Sequence, residues 1–354
     1  MTRGRLRIAQ IAPLWTSVPP RGYGGAELMV HWLSTALRAE GHEVTVYASL
    51  DSATPAPLRG IVPENLIDAC RGMRAYDYDV YALGQFAAAM RDIDQFDVIH
   101  SHLGPKLIPS ATLLNKPVVH TVHAGLDGPD ERWILEQFPG VHLAAISESQ
   151  IAHVPQDRRD SMRVIYHGLD FDDYPFTSKP LEQLVFLSRM APRKDPVAAV
   201  RVARDIGMPI VLAGAPQGQG ERDYFEREVR PLVDGRNVIY VGTVSHEEKV
   251  RLLGESAAFV FPIEWSEHFG IVMIEAMACG TPVVARARGS VPEVVDEGVT
   301  GYHADDISDL VGLTKRAIEL DRRRIREHAR TRFDHHQMAL AYASFYDFAR
   351  GSTP

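Results

Sequence analysis

Short continuous apolar runs that end in polar residues recur along this chain, and they constrain its fold more than any other feature. Ala257-Ala-Phe-Val-Phe261 and Val283-Val-Ala285 are two of them. Runs this short, with no alternation, suit strands buried on both faces. Between them lie a polar loop and a helical pattern that puts Ile271, Ile274 and Ala278 on one side. Cys279-Gly280-Thr-Pro282 ends the helix, with Gly past the last turn and Pro beyond it. Strand, helix and strand in succession form a βαβ unit, and a series of such units forms a parallel, doubly wound sheet.

The same design appears twice. In the first half, Leu6–Ala12, His42–Ala48, Asp97–His102, Pro117–His123 and Val141–Ser147 read as strands. Leu184–Leu187, Met208–Ala213 and Asn237–Val241 begin a second series, which continues into the two runs above. A length of 354 residues suits two α/β domains. With 45% apolar and 24% charged residues, each has enough core to fold without staples. The formal charge of −8 argues against a nucleic-acid partner. Cys70 and Cys279 stand alone and far apart, which leaves no disulfide framework and no zinc spacing. The basic start at Met1–Ile8 runs into a short apolar stretch broken by Gln10 and Pro13, so it reads as a strand and not a signal peptide. No stretch approaches the ~20 apolar residues of a membrane span. The expected location is cytoplasmic.

Several loops could carry chemistry. Gly22-Tyr-Gly24-Gly25-Ala-Glu27 precedes a helix carrying Leu28, Leu33 and Leu37. A dinucleotide fingerprint would need a third Gly where Glu27 stands and a loop directly after the strand, although Asp51 would suit a ribose-binding acid. Residues 52–95 are the least legible, with helices expected around 64–74 and 81–93. Ligands of open α/β sheets gather beyond the carboxyl ends of strands, which makes His102, His123 and Ser147 candidates by position. His100, His102, His120 and His123 invite a metal reading, but alternate strand positions face opposite ways and only half could converge. The alternative for His100 and His120 is a core or strand-end role. Asp170-x-Asp172 fits a turn better than a metal pair.

Two loops of the second half hold charges at fixed spacings. In Ser188-Arg189-Met-Ala-Pro-Arg-Lys194-Asp, Arg189 and Lys194 lie five residues apart; a loop pair like this is often only solvated. Glu267 and Glu275 lie eight apart, with Phe269-Gly270 between them. A helix starting on a glycine exposes N–H groups that favour a negative or hydroxyl-rich ligand. The Glu residues are then acceptors for sugar hydroxyls. The plainer alternative has Glu267 complementing the helix dipole and Glu275 on a solvated face.

The string Glu267-x7-Glu275 with Phe269-Gly270 and Gly280-Thr-Pro-Val-Val resembles the signature of the family-4 retaining glycosyltransferases, which have the GT-B fold. Ser188–Asp195 resembles the family's Gly-Arg-Leu-x-x-x-Lys-Gly, with Ser and Asp in place of the two glycines, and Tyr166–Asp170 its Asn-Gly-Val-Asp crossing, with His167 in place of Asn. The resemblance implies two Rossmann-like doubly wound domains facing a cleft. Residues 1–167 would form the acceptor side, joined by a returning C-terminal helix at 337–354, and 168–336 would bind the nucleotide sugar. It places Arg189 and Lys194 as a cationic clamp on the diphosphate, with Arg193 facing solvent. Glu275 would accept from ribose, and Glu267 with the backbone of Phe269, Gly270 and Ile271 would hold sugar hydroxyls. His268, Gly214 and Val244 would lie on the donor side, Gly24 and Gly25 would close over donor phosphate and acceptor, and His123 would stand against the transferred sugar.

The expected activity is retaining transfer of a sugar from a nucleotide-diphosphate sugar to an acceptor hydroxyl, with no cofactor and no metal. Uridine diphosphate is favoured by family frequency alone. The acceptor is a small molecule, a glycan or a lipid-linked glycan. Residues 1–167 hold 15 Lys/Arg against 18 Asp/Glu, so no basic domain indicates membrane docking. The alternatives are a sugar phosphorylase of the same fold and a catalytically silent sugar-nucleotide-binding protein.

Overall fold

The computed structural model describes residues 4–22, 24–70 and 77–352. The chain divides into two compact units: residues up to Gly168 together with His335 onward, and Leu169–Asp334. Each is built on one wholly parallel sheet.

The first unit holds β1 (Arg7–Ile11), β2 (Glu43–Tyr47), β3 (Leu58–Arg59), β4 (Val98–Ser101), β5 (Val118–Thr121), β6 (His142–Ala145) and β7 (Met162–Val164). Their order is 3-2-1-4-5-6-7, which reverses direction between β1 and β4. Ile8, Ile99, Val119 and Leu143 are fully buried, as expected for strands covered on both faces. The C-terminal helix, His335–Ser352, packs on the Gly25–Ala39 helix and buries Tyr342 and Tyr346 within this unit.

The second unit holds β8 (Leu184–Leu187), β9 (Ile210–Ala213), β10 (Val238–Gly242), β11 (Ala258–Phe261), β12 (Val283–Arg286) and β13 (Gly301–Ala304). The order is 10-9-8-11-12-13, with its reversal between β8 and β11. One apolar core runs from Leu184, Phe186 and Val260 to Val200, Leu212 and Leu310.

Some elements differ from the sequence expectation. The helix expected at 81–93 spans Tyr78–Arg91, because the Asp77 carboxylate accepts from the Asp79 N–H and starts it earlier. The helix expected at 64–74 covers Leu66–Ala69, capped by Asn65 and ending at Cys70; residues 71–74 of that range lie outside the described residues, as does Tyr23 of the glycine loop. β13 was not anticipated, since Gly-Tyr-His-Ala carries no apolar run. Its Gly301 is required by close approach: a Cβ there would stand 1.9 Å from the Val283 carbonyl oxygen.

Candidate active site

In a doubly wound sheet, the loops leaving the two strands beside the reversal open a crevice at their carboxyl ends. In the second unit these are the loops after β8 and β11, which are neighbours despite about 70 residues of separation. Arg189 and Lys194 leave β8, while Glu267–Gly270 leave β11 and lead into the helix Ile271–Ala278. Adjacent strands therefore bring the two charged motifs together.

The two loops are joined at several points. The Arg193 carbonyl accepts from the N–H groups of Glu264 and Trp265 at 3.0 and 3.3 Å. Lys194 Nζ lies 2.6 Å from Glu267 Oε2, with both side chains about 85% buried (14% and 15% exposed). Arg193 is exposed, its guanidinium 5.3 Å above the Trp265 ring. Arg189 turns toward the β9 side, donating to Gln217 at 3.0 Å and pairing with Glu221 at 3.3 Å. Its Nε is buried with no partner among the described residues. Arg189 and Lys194 thus flank the loop with different partners.

The left-handed backbone is placed where this geometry needs it. Gly270, at φ +73°, precedes the Ile271–Ala278 helix, and no side chain among the described residues caps that helix. Asp195 occupies φ +47°, a conformation that glycine adopts freely. Its carboxylate accepts from the Ala198 N–H at 3.0 Å and starts the Pro196–Ile206 helix, which offsets that strain. Gly214 packs under Ser188, where a Cβ would meet the carbonyl oxygen at 2.0 Å. Val244 is half-buried just before Ser245, the cap of the His246–Glu255 helix. The His268 N–H donates to Glu267 Oε1 at 3.2 Å, Phe269 is buried, and Ile271 is half-buried.

Glu275 is buried at 4% exposure, so the solvated-face alternative fails. Its Oε1 accepts from Tyr174 Oη at 2.9 Å and from Lys249 Nζ. Burial, then the neighbouring carboxylate, holds the Tyr174 phenol well above its ordinary range, so it remains a donor. Cys279 is pushed up to about 12, first by burial and then by Glu275, and is an inert core thiol. Asp170 accepts from the Asp172 N–H at 2.9 Å, forming a turn as expected.

In the first unit, Gly24 packs against Thr16 and Pro20, where a Cβ would meet Thr16 Oγ1 at 2.5 Å. Gly25 begins the following helix, and buried Glu27 accepts from the Thr16 N–H at 3.2 Å. Asp51 binds the backbone and side-chain amides of Asn65, a structural use of that acid. His123 is half-buried and lies between two other rings, with Nε2 2.9 Å from His102 and Nδ1 3.3 Å from His167. Burial lowers its pKa to about 4. The three rings form a hydrogen-bonded chain and do not converge on one point. His100 and His120 are both buried in the core.

Residues 174–332 match the family described as Glycosyl transferases group 1, and residues 23–173 match Glycosyltransferase Family 4. The chain belongs to the family-4, group 1 glycosyltransferases. The D-inositol 3-phosphate glycosyltransferase of Mycolicibacterium smegmatis is 27% identical to it over 353 residues, covering 86% of this chain and 81% of that protein. AviGT4, a glycosyltransferase involved in avilamycin A biosynthesis, matches at TM-score 0.72 and 25% identity, with 98% of each chain covered. Anabaena HepE, solved in complex with UDP and glucose, shares the fold at TM-score 0.72 and 19% identity, covering 97% of this chain and 100% of that one. The fold is of the GT-B type.

In this glycosyltransferase the motif spacings located Lys194 beside Glu267, but several of their neighbours were not selected from sequence. Lys249 and Tyr174 reach Glu275 from 26 and 101 residues away, and nothing in their local sequence marks them. Gly289, at φ +60°, lies against the Glu267 backbone, where a Cβ would stand 2.1 Å from the carbonyl oxygen. Its place in the loop three residues past the end of β12 was the available signal. Among the described residues no helix is long and apolar enough to cross a membrane.

Proposed function

We propose that this glycosyltransferase moves a hexose from a nucleotide-diphosphate sugar, with uridine diphosphate favoured, to an acceptor hydroxyl with retention of anomeric configuration and without a metal ion. The observation that carries this reading is the meeting of Lys194 and Glu267 at the reversal of the second sheet, 2.6 Å apart and largely buried. There a cation, an uncapped helix start and a held carboxylate share one crevice. The diphosphate leaving group gains negative charge as the glycosidic bond breaks. Arg189, Lys194 and N–H groups of the Ile271–Ala278 helix start offset that charge, so electrostatics supply the catalysis. Glu267 holds sugar hydroxyls. Glu275, fixed through Oε1 by Lys249 and Tyr174, accepts from ribose with Oε2. The acceptor attacks on the face the diphosphate leaves, and a donor phosphate oxygen takes its proton. The first unit serves the acceptor, with His123 against the transferred sugar.

HepE binds UDP and glucose, and the mycolicibacterial relative carries inositol 3-phosphate in its name, so these are the first ligands to assay. Thermal-shift titration with uridine, guanosine and adenosine diphosphates, followed by their sugars, identifies the donor. Transfer in excess chelator, read by anomer-resolved NMR of the product, is expected to persist and to retain configuration. Activity lost with chelator and restored by manganese or magnesium would remove the metal-free reading. Sugar phosphate formed from a disaccharide and phosphate, with no nucleotide, would identify a phosphorylase.

A further inference from the structure

Gln10 is fully buried in β1, an interior strand of the first sheet, where an apolar side chain is the ordinary occupant. A buried amide is costly unless both its ends are hydrogen-bonded. Here both are: His102 Nε2 lies 2.8 Å from Gln10 Oε1, and Gln10 Nε2 donates to Tyr346 Oη at 3.0 Å. The amide is the middle link of a longer chain. On one side follow His102 Nδ1 to His123 Nε2 at 2.9 Å and His123 Nδ1 to His167 Nε2 at 3.3 Å. On the other, Tyr346 Oη is 2.7 Å from His100 Nδ1, and His100 Nε2 is 2.7 Å from Thr121 Oγ1.

Burial holds His100, His102 and His167 well below their ordinary range, so the rings are neutral and each carries a single N–H. The donors then follow one from another. A carbonyl oxygen only accepts, so His102 Nε2 carries the proton and its Nδ1 must accept from His123 Nε2–H. His123 Nδ1 is left as an acceptor, filled by His167 Nε2–H. Beyond the amide, Tyr346 donates to His100 Nδ1, and His100 Nε2–H donates to Thr121. Provided Tyr346 donates its own hydroxyl proton within the chain, only one other order is self-consistent, the complete reversal of every donor. Imidazoles and hydroxyls can reverse by passing protons along the chain. An amide must turn end over end within a filled core.

We propose that Gln10 is a positioning residue whose amide orientation fixes the direction of this chain and thereby holds His123 as the Nε2–H tautomer, with Nδ1 presented as an acceptor. The link to His167, at 3.3 Å, is the longest of the histidine contacts and the one a ligand would replace. The incoming group must then be a hydrogen-bond donor, which a sugar hydroxyl is and a carboxylate is not. The tautomer stands on the geometry of the first unit alone; its effect on turnover rests on the reading of His123 as a sugar contact.

The test uses the full chain labelled with ¹⁵N-histidine. Long-range ¹H–¹⁵N spectra at neutral pH report the tautomer of each ring, with His123 assigned from His123→Gln. Nε2–H signatures are expected for His100, His102, His123 and His167, and Gln10→Leu should give His123 averaged shifts. An Nδ1–H His123 in the native protein, or an unchanged His123 in Gln10→Leu, overturns the proposal. If Gln10→Leu does not fold, Gln10→Glu replaces it. A carboxylate accepts from both sides, so His123 should stay Nε2–H while His100 turns to Nδ1–H, and an unchanged His100 overturns the proposal. Turnover of Gln10→Leu is expected to fall about tenfold or more at unchanged nucleotide affinity. A lost tautomer with full turnover would leave the chain direction standing and remove His123 from the sugar.

Discussion

Lys249 and Glu275 form an ion pair that is 15% and 5% exposed, and such a pair contributes little net stability until one partner is removed. Lys249→Met leaves a buried carboxylate held by Tyr174 alone, and should destabilise the protein by about 3–5 kcal/mol in denaturant melts. Adding Glu275→Gln removes the stranded charge and should recover part of that loss. A single-variant cost under about 1 kcal/mol would mean the pair is solvated. Arg189, Arg193 and Lys194 share one loop and differ only in what they face, which makes them their own controls. Arg189→Ala or Lys194→Ala should lower kcat by ~10²-fold or more, because the cations act on charge that develops as the bond breaks. Arg189→Lys should also be impaired, since an ammonium lacks the planar fork. Arg193 stands over Trp265, and its contact with the β11 loop through the backbone carbonyl survives truncation, so Arg193→Ala should keep near-native turnover. Equal damage from Arg193→Ala and Lys194→Ala would reduce the loop to a diffuse basic patch.

At the scale of elements, Asp195 joins backbone conformation to helix start, holding φ +47° and capping Pro196–Ile206 in one residue. Asp195→Ala loses the cap and keeps the left-handed strain, for a cost of about 2 kcal/mol. Asp195→Gly loses the cap but relieves the strain and should lie within about 0.5 kcal/mol of the native chain. A midpoint series in urea separates them, and equal losses would show that strain is not stored there. Asp195 also shows what sequence could convey. The departure from the family's glycine was visible, whereas the left-handed turn that Asp tolerates there needed coordinates. The β8 and β11 motifs were legible because short apolar runs fix where strands end, and strand ends are where ligands gather. β13 was not, because an edge strand of four residues with His303 and a leading glycine has no periodicity to read. Gln10 was visible as a polar break between Ile8-Ala9 and Ile11-Ala12, and only the neighbouring strands and the C-terminal helix reveal that it links His102 to Tyr346.

At the scale of the whole molecule, the two units differ in how they carry histidine. In the first, burial lowers His100, His102, His120, His123, His142 and His167, with His120 and His123 at about 4. In the second, His246 is lowered, again by burial. A histidine held neutral in the fold takes up its proton readily once unfolded, at about pH 6.5. Below that pH the unfolded chain binds more protons than the folded one, so stability falls as pH falls and is fully present above about pH 7.5. Each such ring contributes a slope approaching ~1.4 kcal/mol per pH unit between its unfolded and folded pKa values. Several rings acting together within a pH unit or two match the ~5–15 kcal/mol that holds a typical domain. Between pH 6.5 and 5 few carboxylates titrate, so the contrast lies between six lowered rings in the first unit and His246 in the second. The first unit should therefore lose its structure at a higher pH than the second. Hydrogen exchange on peptides covering β4 and β5, compared with β11 and β12, should show the first pair losing protection near pH 5 while the second stays protected. Calorimetry over the same range should resolve two transitions that move apart on acidification. An intact first unit at pH 4.5 would show that these histidines are charged inside the fold, and loss of protection in both units at one pH would show that the two units unfold together and overturn the predicted order.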